Sequence, residues 1–207
     1  MTSVIGIDEA GRGPALGDMV LAGVKFDIKR INVLHNLNVR DSKTYGSSRK
    51  AQQKRCAIAQ QIFRSAKVKI VVVPVQEIDS VNLNTLELRA ARQIIKSLDP
   101  SNSDIFLDGH SLFNPLTGEF ERVYAINKAD STIEVVAAAS IVAKHVRDCI
   151  WRKIMRKYQP EFGEIKGNGY GKHATGFIQR YYNRYGKLPP ETRKSWKSVK
   201  KIFEVRL

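Results

Sequence analysis

Cysteine is scarce in this chain: Cys56 and Cys149 are the only two in 207 residues, and they are far apart. A disulfide framework and a zinc ribbon are therefore excluded, and a reducing compartment is expected. The four histidines form no His-x-x-x-His pair and no nucleophile elbow occurs, so zinc-protease and serine-hydrolase chemistry have no footing. No apolar run approaches the ~18 residues of a membrane span. Asp8 is reached within eight residues, which leaves no room for a signal peptide, and the expected location is cytoplasmic. Internal repeats and low-complexity tracts are missing too.

Acid is short relative to base. The net charge is +15, and its distribution is uneven. Residues 1–143 carry 18 Lys and Arg against 15 Asp and Glu, a net of +3; residues 144–207 carry 17 against 5, a net of +12. A basic last third points to a polyanion, with nucleic acid ahead of an acidic membrane because no basic amphipathic helix with a bulky apolar face stands out. With 43% hydrophobic and 27% charged residues the chain is an ordinary globular one, long enough for one main core and a small appendage. The soft boundary around residues 155–170 divides it into 1–160 and 161–207.

The pattern along the chain alternates strands with helices. Val4–Ile7 and Val20–Phe26 read as paired strands around a turn from Gly11 to Gly17. Ser47 or Ser48 can cap a helix through Ile58, Ile62 and Phe63, and Val68–Val75 reads as a strand buried on both faces. Asn82–Leu98 has helical spacing of Leu83, Leu86, Ala90 and Ile94. Ile105–Leu107 and Val123–Ile126 are short strands, and Ser131 to about Tyr158 is one long helix whose Ala137-Ala138-Ala139-Ser140 segment allows close packing on the sheet. After a glycine-rich loop, Gly163–Gly171, helices are expected over Thr175–Tyr185 and from about Glu191 to Ile202. The fold class is α/β, a mixed sheet flanked by helices with a small helical C-terminal extension.

Asp8, Glu9, Asp108 and Asp130 stand at or just beyond strand ends, where ligand sites form in such sheets. Asp8 and Glu9 can converge only if the strand ends between them, because neighbouring strand residues point to opposite faces. Converging carboxylates repel, and hard divalent cations with oxygen ligands remove that repulsion. Two ions ~4 Å apart would serve in-line phosphoryl displacement. Taken singly, Asp108 before Gly109 also reads as a turn residue, and Asp130 before Ser131 as a helix cap. Asp148, 18 residues beyond Asp130, would lie about 27 Å away on one straight helix and reads as structural. Asp41 reads as ordering a loop that presents Lys43 to phosphate.

At these residues the chain resembles a known family, the type 2 ribonucleases H. The resemblance rests on Gly6-Ile7-Asp8-Glu9-Ala10-Gly11-Arg12-Gly13-Pro14, Asp41-Ser42-Lys43, Leu107-Asp108-Gly109, Lys128-Ala129-Asp130 and Ala137–Lys144, in that order. The ending Tyr185–Pro190 and Arg193-Lys194-Ser195-Trp196-Lys197 is similar to archaeal members. It implies a ribonuclease H-like domain and a Mg2+ or Mn2+ dependent endonuclease, using one or two ions. The implied substrates are RNA–DNA hybrids, cut in the RNA strand, and duplex DNA with embedded ribonucleotides, incised 5′ of them to leave 3′-hydroxyl and 5′-phosphate ends.

By the same resemblance the metal-binding acids fall on Asp8, Glu9, Asp108 and Asp130. The turn Gly11-Arg12-Gly13 would sense the 2′-hydroxyl through its backbone, and Tyr170 would stack on a sugar. The resemblance leaves a replication-clamp partner open. Tyr170 is followed by Gly171-Lys172-His173, where family members usually continue with proline, serine and aspartate. Arg40, Lys43, Lys128 and the basic tail are the expected phosphate contacts, and a monomer is expected. Two rival readings are a DNA-directed nuclease of resolvase or integrase type and a non-catalytic basic nucleic-acid-binding module.

Overall fold

The computed structural model describes residues 2–37, 39, 46 and 48–204. Arg40, Asp41 and Lys43, the expected phosphate loop, lie outside the described residues.

Apolar, β-branched residues build β1 (Ser3–Ala10) and β2 (Met19–Asp27), which pair antiparallel from Ser3↔Asp27 to Ala10↔Val20. Asp27 caps a short 3-10 turn, accepting from the Lys29 amide at 2.8 Å, and α1 (Asn32–Asn36) follows. Ser48 caps α2 (Arg49–Ser65) by accepting from the Ala51 amide at 3.2 Å. Next come β3 (Lys67–Val73), α3 (Val75–Ser80) and α4 (Leu83–Ser97), the last capped by Asn82. β4 (Ser103–Asp108), α5 (His110–Phe113) and β5 (Val123–Ile126) lead to α6 (Ala129–Thr132) and α7 (Glu134–Phe162). α8 (Gly171–Tyr185) and α9 (Lys197–Glu204) complete the described chain.

The sheet order is β3-β2-β1-β4-β5, antiparallel on the β2 and β3 side and parallel from β1 through β5. β1 is therefore central. Its alternation separates two cores: Ile5 and Ile7 pack with Ile94 of α4 on one face, while Val20, Ala22 and Val24 of β2 pack with Val136, Ala139 and Val142 of α7 on the other. Each fully buried aliphatic contributes about 1.5–3 kcal/mol. Gly6 is what lets α7 lie on β1: a Cβ there would stand 2.2 Å from the Val135 carbonyl oxygen. The expected close approach of the small-residue segment is present.

Four expectations are corrected. β3 is an edge strand, half-buried along most of its length with Val72 exposed, because only β2 flanks it; Val75 belongs to α3. β1 continues through Ala10, so Glu9 is still a strand residue, paired with Leu21. The long helix is broken at Ile133, whose extended backbone (φ −121°, ψ 111°) separates α6 from α7. Asp130 and Asp148 thus do not share one straight helix. Finally, the last helix begins at Lys197 rather than Glu191, because Thr192 forms a bridge with Leu16.

That bridge belongs to a third core. Leu16 from the β1–β2 turn packs with Trp151 and Ile154 of α7, Phe177 of α8 and Val199 of α9. Residues beyond 160 are in this way fastened to the turn that follows Glu9. No helix among the described residues is long and apolar enough to cross a membrane.

Candidate active site

The register Ile7↔Leu107 sets the next residues, Asp8 of β1 and Asp108 at the end of β4, side by side on adjacent parallel strands. Asp8 is buried on the α7 face, where it hydrogen-bonds Ser140. Glu9, although in the strand, reaches Asp8 and shares a hydrogen bond with it. The amide of Ala129 donates to Asp108 Oδ1 at 2.8 Å, tying the start of α6 to the end of β4. Asp130 follows at once and is buried.

Burial pushes the Asp8 carboxyl well above its ordinary range, with the negative charges of Glu9 and Asp108 adding to the effect. Glu9 is also raised, again chiefly by burial, with Asp108 adding and the hydrogen bond to Asp8 and the charge of Arg12 opposing. Three carboxyl groups thus share one field. They line a cleft of about 930 Å3 together with Gly11, Arg12, Gly13, Ser140, Lys144, Arg147 and Tyr170. Asp130 and the exposed Lys128 stand at the neighbouring start of α6 and do not line it.

Among the described residues no three His, Cys, Asp or Glu side chains stand as a ready metal-binding group. The donor set nevertheless fits a hard divalent cation. It consists of carboxylate oxygens only, buried at Asp8, half-buried at Glu9 and Asp108 and mutually repelling, and a cation would reverse the penalty that now raises Asp8 and Glu9.

The turn beside the acids is fixed on every side. Gly11 has φ +87°, and a Cβ there would lie 2.7 Å from Arg147 Nε, so only glycine fits. The Arg12 guanidinium turns toward α4, donating to Asn84 Oδ1 at 2.7 Å and pairing with the fully buried Glu87. What Arg12 offers the cleft is mainly its backbone. Tyr170 Cε1 would be 3.6 Å from a Cβ on Gly13, so its ring lies over that glycine, with 45% of the residue exposed. Burial raises the Tyr170 hydroxyl, opposed by the charges of Arg147 and Arg193.

Sequence reasoning gave no role to Ser140, Lys144, Arg147 or Arg193. The first three recur at helical spacing on α7, and a polar stripe on an otherwise apolar helix is a signal that could have marked them. Arg147 Nη2 donates to Leu16 O at 2.8 Å and Asn168 O at 3.4 Å, joining the turn to the loop before Tyr170. Arg193 donates to three carbonyls of the turn from 176 to 182 positions away. No local pattern could reveal that. Asp148 accepts from Lys144 at 2.5 Å and Arg55 at 3.1 Å, bracing α2 against α7.

The family model of ribonuclease HII matches residues 5–199. The ribonuclease HII of Pyrococcus furiosus is 35% identical over 212 residues, covering 96% of this chain and 90% of that protein. The solved ribonuclease H2 from Pyrococcus horikoshii superposes with a TM-score of 0.85 at 29% identity, over 98% of both chains. The ribonuclease HII solved in a PCNA:RNase HII complex from Archaeoglobus fulgidus is similar with a TM-score of 0.78 at 28% identity, over 95% and 96% of the two chains.

Proposed function

This chain belongs to the ribonuclease HII family, enzymes that hydrolyse the RNA strand of RNA–DNA hybrids, and from that premise we propose that it also incises duplex DNA 5′ of single embedded ribonucleotides. The observation that carries the reading is the gathering of Asp8, Glu9 and Asp108 in one cleft with the Gly11–Gly13 turn and Tyr170 on its rim.

Asp8, Glu9, Asp108 and Asp130 would hold one or two divalent ions, Mg2+ or Mn2+. Asp130, on α6 next to the amide that Asp108 accepts, would join by a small turn of that short helix. A bound divalent cation supplies activation of water and neutralisation of charge on the phosphate. The protein's own part is to place the sugar and the phosphate. The backbone of Gly11-Arg12-Gly13 tests for a 2′-hydroxyl, and the Tyr170 ring, lying over Gly13, stacks against the adjoining sugar. Lys128, Arg40 and Lys43 take backbone phosphates, with residues 161–207 extending the catalytic domain of residues 1–160 along the duplex. The products carry 3′-hydroxyl and 5′-phosphate ends. A sliding clamp is a fitting partner, given the PCNA complex of the Archaeoglobus relative, and the cytoplasm is the fitting location.

The deciding experiment incubates the protein with duplex DNA carrying one ribonucleotide, with Mg2+, with Mn2+ and with chelator. A single metal-dependent incision 5′ of the ribonucleotide is expected. Equal cutting of all-DNA duplex would favour the DNA-directed nuclease, and binding without any cutting would favour the non-catalytic module.

A further inference from the structure

Arg193 is a fully buried cation in a stretch with no regular secondary structure, and its hydrogen bonds go to backbone rather than to a carboxylate. Nη2 donates to Gly11 O at 2.5 Å, Nη1 to Arg12 O at 2.7 Å and Nε to Gly17 O at 2.9 Å. Three residues on, Trp196 Nε1 donates to Gly13 O at 3.1 Å, and its ring lies 4.9 Å from the Arg193 guanidinium carbon. One short segment thus holds all three carbonyls of the Gly11-Arg12-Gly13 turn.

This has a consequence for the other side of the turn. No described peptide bond is cis, and in a trans peptide the N–H points opposite to the C=O of the same plane. With the Gly11 and Arg12 carbonyls drawn toward Arg193, the amides of Arg12 and Gly13 point away from it. Gly11, Arg12 and Gly13 line the cleft with Asp8 and Glu9, whereas Arg193 and Trp196 do not. The two amide donors therefore point away from Arg193, on residues that line the cleft, and the grip on their carbonyls holds their orientation.

We propose that Arg193 is a positioning residue for ribonucleotide recognition: by gripping the carbonyl side of the turn it aims the Arg12 and Gly13 amides at the sugar of the scissile nucleotide. The assignment rests on the ribonucleotide-incision reading above. Burial lowers the guanidinium to about 10, with the nearby positive charge of Arg147 contributing, which still leaves it charged at neutral pH. A buried charge is expensive compared with an apolar residue of similar volume, and here the three hydrogen bonds to the turn are what offset that cost. Lysine is no substitute, since one ammonium on a flexible stem cannot span three carbonyls as a planar fork does.

The test compares wild type, Arg193→Lys and Trp196→Phe, all full length, on two duplexes that differ only at one sugar, ribose or 2′-fluoro-deoxyribose. Trp196→Phe removes a single hydrogen bond and keeps the packing, so it remains informative if Arg193→Lys folds poorly. Arg193→Lys is expected to lose roughly 10- to 100-fold in kcat on the ribose duplex, the scale of a small misplacement, with KM little changed. The ribose-to-fluoro preference should fall with it, and amides of residues 11–17 should exchange faster while those of β4 do not. Trp196→Phe should shift the preference in the same direction by less. Wild-type-like kcat in Arg193→Lys, or an equal loss on both duplexes in either variant, would overturn the assignment. Failure of the underlying reading shows separately, as a wild-type protein that does not cut at the ribose.

Discussion

The Arg12 guanidinium, partly exposed, is paired with Glu87, a carboxylate on α4 that has no exposure at all. The two partners are unequal in burial, and so their removal should be unequal in cost.

Arg12→Ala strands a buried carboxylate and is expected to lose about 3–5 kcal/mol of stability. Glu87→Ala leaves a guanidinium that can turn to water, and should cost about 1.5–3 kcal/mol, the scale of a hydrogen bond to a charged group. Denaturant melts of the single and double variants measure both. A Glu87→Ala loss as large as that of Arg12→Ala would remove the argument.

Asp8→Asn is expected to abolish cleavage with hybrid binding largely intact. In metal-free buffer the same variant should melt at a higher temperature than wild type, because it removes a carboxyl whose ionisation the fold disfavours. The sign follows from linkage. The folded-state pKa of Asp8 lies above the unfolded value, so the folded protein binds more protons between the two. Wild-type stability should then decline as pH rises from the unfolded pKa toward the folded one, and Asp8→Asn should flatten that decline. Melting curves from pH 4 to 8 without divalent ions are the check, and adding Mg2+ should restore the wild type while leaving the variant nearly unmoved.

Tyr170→Ala should reduce incision at a single embedded ribonucleotide by roughly tenfold or more, the scale of one lost stacking contact. Uniform RNA–DNA hybrids should suffer less, and Tyr170→Phe should recover most of the activity. Equal losses across substrates would count against the ring's role over Gly13.

Affinity for hybrid should fall steeply with salt, since the basic residues meet phosphates. Lys128→Ala is expected to lower the slope of log K against log salt by about one unit, without altering where the enzyme cuts. A titration by fluorescence anisotropy at several salt concentrations gives the slope.

The strands, the nearness of the acids to strand ends and the small-residue face of α7 were legible in the sequence, because each is written in a local period or a local run. Edge against centre was not: Val68 to Val75 reads as buried on both faces, yet whether a strand has one neighbour or two depends on sheet order. The break at Ile133 was likewise hidden, since β-branched Thr132 and Ile133 lower helix propensity only slightly and do not by themselves mark a helix end.

Local composition by itself determined that this chain makes a mixed sheet, carries its positive charge late and places its acids near the ends of β1, β4 and β5. Only tertiary structure decided which acids meet in one cleft, that Arg12 turns to Glu87, and that Arg193 closes on Gly11. Those contacts join residues 75 to 182 positions apart. Periodicity fixes which way a side chain leaves its own element, whereas a long-range contact depends on how several elements pack at once.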